Sequence, residues 1–160
     1  LDNLELHGCD YNAEAIAWAA ENLTFATWAA NQLEPPLPYE ADSFDLVYAL
    51  SVFTHFPAPL QTAWMAEMAR VIRPGEYLIF TTMGRSFNVQ LTDEQQATFD
   101  EEGFVVHFPD SAGSNMCSAY HSPRYASQLA ASQGFETLVT VEADDDSLYP
   151  QDMHLVRLKS

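Results

Sequence analysis

Glycine is scarce in this chain. The 160 residues contain six, at positions 8, 75, 84, 103, 113 and 134, and no two of them make a GxG. A loop that needs adjacent glycines so that backbone can close on a bound ligand is therefore not encoded. Cations are as scarce: 6 Lys and Arg stand against 23 Asp and Glu, net charge −17, with Lys159 the only lysine. So acidic a protein repels phosphate backbones and anionic lipid, which argues against nucleic acid and membrane surfaces as partners and for small, neutral or cationic substrates. Cys9 and Cys117 are the only cysteines. Two thiols make no disulfide framework and suit a reducing cytoplasm. No apolar run approaches the ~18 residues that span a bilayer. No signal peptide is visible, and the first residue is Leu1 rather than Met, which reads as a removed or processed N-terminus.

What is present is a globular composition, 48% hydrophobic and 12% aromatic. The length suits one domain, 1–160, with a sizeable core. Leu4 to Cys9 reads as a short strand, ending in Asp10 and followed by a helix that Asn12 caps. Ile16, Ala20 and Leu23 form that helix's apolar stripe. Thr24 to Ala29 reads as a second strand and "NQLEPPLPYEADS" as a proline-rich loop. "FDLVYAL" has the length and composition of a strand buried on both faces of a parallel sheet. Pro57 and Pro59 open the next helix, whose inner face carries Leu60, Ala63, Trp64, Met68 and Val71 with Glu67 as a polar exception. "RPG" stops it, and "EYLIFTT" is another buried strand.

Strands alternating with helices predict a parallel α/β sheet. The pattern then changes. Thr92 and Gln95 form a capping box for a helix reaching about Gly103, and "FVVHFP" reads as a short strand. "DSAGSNMCSAY" reads as a loop. Ser122 and Pro123 open a helix that Gly134 closes, "FETLVTVE" alternates as a half-buried strand, and "DMHLVRLK" closes the chain. The last two strands, joined without a helix, should pair antiparallel. The segment 83–121, about forty residues, is too long for a plain connection and reads as an insertion covering the substrate side.

At this point the sequence resembles the class I S-adenosylmethionine-dependent methyltransferases. "GCDYNAEAIAWA" is similar to their second motif, "LPYEADSFDLVYALSVFTHF" to the segment through their fourth strand, and "MARVIRPGEYLIFTT" to the helix, turn and fifth strand. The resemblance implies a Rossmann-like three-layer α/β sandwich, mostly parallel, with a C-terminal antiparallel hairpin. It implies S-adenosylmethionine as cofactor and a small-molecule acceptor. The family's first motif, a strand and glycine-rich loop, has no counterpart here. In the family's strand order, 3-2-1-4-5-7-6, that strand is central, so the expected sheet lacks its first strand, loop and helix, on the order of 30 residues. Strands 2 and 4 would then close on each other or be bridged by another chain, for instance in a homodimer.

The resemblance also assigns site residues. Asp10 would accept the cofactor's ribose hydroxyls; otherwise it is an exposed acid favoured by a helix N-terminus. Tyr11 would lie against adenine, and Asn31 and Gln32 would read its edge; otherwise they are turn and loop residues. Ala49, Leu50 and Ser51 would end a strand beside the sulfonium, with core packing as the plainer role for the first two. His55 is a candidate general base, or a packed histidine. His107, Tyr120, His121 and Tyr125 would line a substrate pocket from the insertion, or serve structure. No spacing resembles a zinc site, and Asp144-Asp145-Asp146 lacks the glycine and glutamate of a calcium loop and reads as a solvated acidic turn. Two further readings stand beside methyl transfer. One is a non-catalytic fragment or dimerising module, inactive because the site is incomplete. The other is a nicotinamide-dependent oxidoreductase, against which the terminal hairpin argues.

Overall fold

A computed structural model describes residues 4–144, 147 and 149–160, with the side chains of residues 88 and 89 left out. The expected turn at Asp144-Asp145-Asp146 lies partly outside the described residues. The chain forms two compact units, Leu1–Tyr39 and Glu40–Ser160.

In the first unit, β1 (His7–Asp10) and β2 (Thr27–Ala30) pair in parallel, joined by α1 (Ala13–Asn22). Asn12 caps α1 as expected, its side chain accepting from the Ala15 N–H at 3.1 Å. The buried face is Ile16 and Ala19 with Leu23 partly covered, whereas Ala20 is exposed. Gly8 is required in β1 because any Cβ there would collide with the Trp28 ring on the neighbouring strand.

The second unit contains a four-stranded sheet of order β3-β4-β8-β7. Its strands are β3 (Phe44–Ala49), β4 (Ile72–Thr82), β7 (Phe135–Val141) and β8 (Asp152–Leu158). β3 and β4 are parallel, joined by a 3₁₀ turn (Phe53–His55) and α2 (Ala58–Val71). The "RPG" stretch is accommodated at the start of β4, where Gly75 takes φ 89° and the register jumps from Phe44↔Ile72 to Leu46↔Tyr77. β8 inserts antiparallel between β4 and β7, which is the hairpin expected from the sequence.

Two expectations are corrected here. β3 is not buried on both faces: it is an edge strand whose Leu46 and Tyr48 are 50% and 68% exposed. An apolar strand is covered on both sides only where layers cover both sides, and its composition alone does not supply them. On α2, Ala63 faces solvent while Gln61 and Met65 are buried. Glu67 is buried as the anticipated polar exception, held by a two-point pair with Arg70 (2.9 and 2.6 Å).

The segment 83–121 builds a small core of its own from Met83, Phe99, Val105 and Tyr120, flanked by Phe87 and Leu91. Its α3 (Asp93–Glu102) carries the full capping box of Thr92 and Gln95 and ends on Gly103 at φ 82°. β5 (Phe104–His107) pairs antiparallel with β6 (Ser118–His121). Part of the stretch read as loop is therefore strand. α4 (Pro123–Ser132) follows, capped by Ser122.

The core beside β4 centres on Phe80, which stacks on His154 at 4.8 Å and lies 5.3 Å from Phe53 between ring centroids. Phe80→Ala should lower stability by about 3–5 kcal/mol through lost burial and a residual cavity. Urea denaturation checks this, and a loss below about 1 kcal/mol would contradict the packing described.

Candidate functional site

Within the first unit the structure brings Asp10 and Asn31 together at the carboxyl ends of the parallel strands. Asp10 ends β1, its carbonyl accepts the Asn31 N–H at 3.1 Å, and Oδ1 accepts the Asn12 N–H at 2.7 Å. Tyr11 and Gln32 follow them in the chain and are exposed, and the Asn31 amide donates to the Gln32 carbonyl at 2.6 Å. The same Asn12 thus caps the helix and orients the acid, because strand and helix meet within two residues. An ionised carboxylate only accepts, so this exposed Asp10 suits a pair of donating hydroxyls, as on a ribose. Tyr11 adds an aromatic surface at the same strand end. These residues fit the ribose and adenine end of a nucleoside cofactor.

Within the second unit, the chain leaves β3 through Ala49, Leu50 and Ser51. Ala49 pairs with Phe80, Leu50 is exposed, and Ser51 sits at φ 57°, a strained backbone for a serine. Ser51 is held there by a polar knot. Its N–H donates to Thr81 Oγ1 (2.8 Å), its Oγ meets Tyr149 OH (2.8 Å) and Gln151 Oε1 (3.2 Å), and Thr81 Oγ1 donates to Gln151 Oε1 (2.7 Å). Thr81, Tyr149 and Gln151 were not anticipated. The only sequence signal was a pair of threonines ending an apolar strand; that residues 149–151 meet them depends on antiparallel pairing seventy residues away. Next to the knot, Asp152 is buried, Oδ1 accepting the Ala143 N–H at 2.9 Å and Oδ2 without a hydrogen bond among the described residues. Burial, then the Glu142 charge, push its pKa up against the lowering effect of that N–H. Gly84 leaves room for this carboxyl, since a Cβ there would collide with it.

His55 ends the 3₁₀ turn that follows. Its Nδ1 lies 2.8 Å from the Cys117 carbonyl, and its own carbonyl accepts the Gly113 N–H at 2.8 Å. A carbonyl cannot donate, so Nδ1 carries the proton and Nε2 is the accepting nitrogen of the neutral ring. Nε2 has no hydrogen-bond partner among the described residues. The insertion thereby sets the tautomer of the one histidine read as a base.

The other pocket candidates named from the sequence, three in the insertion and Tyr125 on α4, are largely interior. Tyr120 and His121 are fully buried; the Tyr120 hydroxyl donates to Gln90 (3.0 Å), and His121 Nε2 meets Gln61 Oε1 (3.0 Å). Tyr125 stacks on Phe104 at 4.7 Å, and His107 lies 5.1 Å from Tyr120. These are packing roles. Among the described residues no group of three His, Cys, Asp or Glu could hold a metal, and no helix is long and apolar enough to cross a membrane.

Residues 2–80 match the model of a methyltransferase domain family. Several solved structures share the fold. A SAM-dependent methyltransferase from Methanosarcina mazei is 19% identical with a TM-score of 0.72, over 97% of this chain and 82% of that one. An S-adenosylmethionine-dependent methyltransferase from Mesorhizobium loti is 15% identical with a TM-score of 0.69, over 96% and 80%. The 1,6-didemethyltoxoflavin-N1-methyltransferase of Burkholderia thailandensis, solved with 1,6-didemethyltoxoflavin and S-adenosylhomocysteine, is 11% identical with a TM-score of 0.65, over 96% and 61%.

The buried histidines generate a pH dependence. Desolvation pushes His154 down to about 4, and desolvation with the neighbouring His154 charge pushes His121 down to about 3. An unfolded histidine binds its proton near pH 6.5, so below that the unfolded chain holds more protons and stability falls as pH drops. The contribution is full above 6.5 and, for His154, lost by about pH 4. Asp152 acts oppositely, its raised pKa favouring the fold at low pH. Urea midpoints should therefore fall between pH 7 and 4.5, and His154→Gln should flatten the fall by roughly 2–3 kcal/mol. An equally steep fall in the variant would show that His154 titrates normally in the fold.

Proposed function

We propose that this chain is a class I S-adenosylmethionine-dependent methyltransferase that moves a methyl group to a small-molecule oxygen, nitrogen or carbon nucleophile. S-adenosylmethionine is its cofactor, and Asp10, Tyr11, Asn31 and Gln32 would hold the ribose and adenine. When bound, that cofactor supplies an electrophilic methyl on sulfonium. The observation that carries the reading is Asp10, an acceptor-only side chain held at a strand end by the Asn12 N–H. Ala49, Leu50 and Ser51 form the strand end at which the ligand crevice of a parallel α/β unit is expected.

The protein's own contribution is alignment and the handling of one proton. His55, protonated at Nδ1 toward the Cys117 carbonyl, presents Nε2 to accept the proton of a hydroxyl or amine acceptor. The segment 83–121 would be the acceptor-facing insertion, because its loop holds that histidine through Cys117 and Gly113. The small-molecule class agrees with the acidic balance of the chain. Two free cysteines fit a reducing, cytoplasmic setting.

A second reading, a non-catalytic module that dimerises, is favoured by the exposed Leu46 and Tyr48 on edge strand β3. Light scattering on the purified chain and on Tyr48→Lys separates the two. A dimer that the lysine dissociates supports the module, and a monomer removes it.

The transferase reading is tested by calorimetry with S-adenosylhomocysteine. Binding at micromolar concentration, weakened roughly tenfold or more by Asp10→Ala, is the expected result. No heat at millimolar ligand would overturn it. Given turnover, His55→Ala should lower kcat by about 10²–10⁴ with unchanged S-adenosylhomocysteine affinity, and an unaltered kcat would remove the base.

A further inference from the structure

The polar knot at Ser51 has more to it than local structure, and hydrogen bookkeeping shows why. Thr81 is 0% exposed and its Oγ1 already accepts the Ser51 N–H at 2.8 Å, so its single hydrogen must go elsewhere. It goes to Gln151 Oε1 at 2.7 Å. Rotating the Gln151 amide by half a turn would present N–H to Thr81 and leave that buried hydrogen without an acceptor. The amide orientation is therefore determined. Oε1 takes its second hydrogen from Ser51 Oγ (3.2 Å) or from Tyr149 OH (3.3 Å), and the other of these two hydroxyls, 2.8 Å away, donates to its neighbour. Each hydroxyl hydrogen of the knot is thus used, and Oε1 is saturated.

What remains is the other end of the amide. The Gln151 Nε2 carries two hydrogens and has no hydrogen-bond partner among the described residues. It is not sealed in the interior either, since Gln151 is only half-buried. Gln151 stands just before β8, beside the carboxyl end of β4 and the strained exit from β3. In parallel α/β units ligands sit outside those strand ends, and strain concentrates at sites where it serves binding.

We propose that Gln151 binds the methyl acceptor, an Nε2–H donating to an uncharged oxygen of that molecule, a carbonyl or amide oxygen. The proposal rests on the transferase reading for the identity of the guest. An amide N–H pairs in line with an in-plane lone pair of an sp² oxygen. A carboxylate is disfavoured because the chain carries net charge −17 and the Asp152 carboxyl follows directly. Thr81 is the positioning residue: it touches no ligand but sets which end of the amide faces outward.

The test uses side-chain amide NMR signals of the full ¹⁵N-labelled chain, with the Gln151 pair assigned by its loss in Gln151→Glu. The probes are 4-hydroxybenzamide, phenol and 4-hydroxybenzoate at millimolar concentration. We expect 4-hydroxybenzamide to shift the Gln151 pair and to bind roughly tenfold more weakly to Gln151→Glu. Phenol and 4-hydroxybenzoate should leave the pair unmoved. Thr81→Val should keep the spectrum of a folded chain and broaden the Gln151 pair, because the amide loses its anchor. A Gln151 pair that ignores 4-hydroxybenzamide, or equal affinity in Gln151→Glu, overturns the proposal. S-adenosylhomocysteine calorimetry on the same sample separates the failures. Heat with a silent Gln151 removes this inference alone, while a responding Gln151 without heat removes the transferase reading and leaves the amide site standing.

Discussion

The antiparallel ladder between β4 and β8 is the constraint on which the second unit's chemistry depends. Thr82 faces Asp152 in that register, so the residues preceding β8 arrive at the carboxyl end of β4 and nowhere else. A one-residue slip of β8 would turn His154 and Asp152 away from the face that carries Phe80 and Thr82. It would also withdraw Gln151 from Thr81 and release Ser51 from a backbone conformation that its neighbours sustain. The ladder is pinned by the stack of Phe80 on His154 and by the bonds of His154 to Thr82 (2.9 Å) and Thr140 (3.1 Å). The core packing and the polar knot are therefore not separable features. The same register that buries the apolar face brings the hydroxyls and the amide to one strand end.

How much of this the sequence discloses follows from the range of each interaction. Helix boundaries were legible wherever a cap is local: Asn12, the Thr92 and Gln95 box, Ser122, and the positive-φ glycines 103 and 134 all act within a few residues. The closing hairpin was legible because a connection without a helix leaves antiparallel pairing as the simple solution. Burial of particular faces was not. Gln61 reads as a solvent-side polar residue until its amide is seen donating to the Phe56 carbonyl (2.8 Å) and accepting from His121. Ser118 to Tyr120 reads as loop because its strand partner is a four-residue segment across the insertion. Edge exposure of Leu46 and Tyr48 is invisible to composition, since an apolar run looks the same in a central strand and an edge strand.

The candidate site divides along the same line. Asp10 and Asn31 were legible because each ends a strand and the two strands are parallel neighbours joined by one helix. The structure shows their juxtaposition within the first unit and assigns them no ligand by itself. His55 was named, but the feature that gives it a chemical direction was not, because the carbonyl that fixes its tautomer belongs to Cys117, sixty-two residues on. Thr81, Tyr149 and Gln151 were missed altogether. Hydroxyl and amide residues carry no pattern in a sequence, and only pairing over long range gives them a shared location.

That difference bears on which residues can specialise. Asp10 and its helix cap form one local unit, so replacing the acid leaves strand, helix and Asn12 cap in place. The Ser51 knot is built from three distant segments, each of which also serves the sheet. Thr81 cannot change without orphaning the Ser51 N–H, and Asp152 cannot grow while Gly84 lies against it. Tyr149 is different. It is partly exposed, contacts the knot only through its hydroxyl, and lies in a loop rather than a strand. Variation that leaves the ladder intact is therefore confined to that loop and to the insertion that holds His55. Both are connections whose lengths the sheet does not dictate.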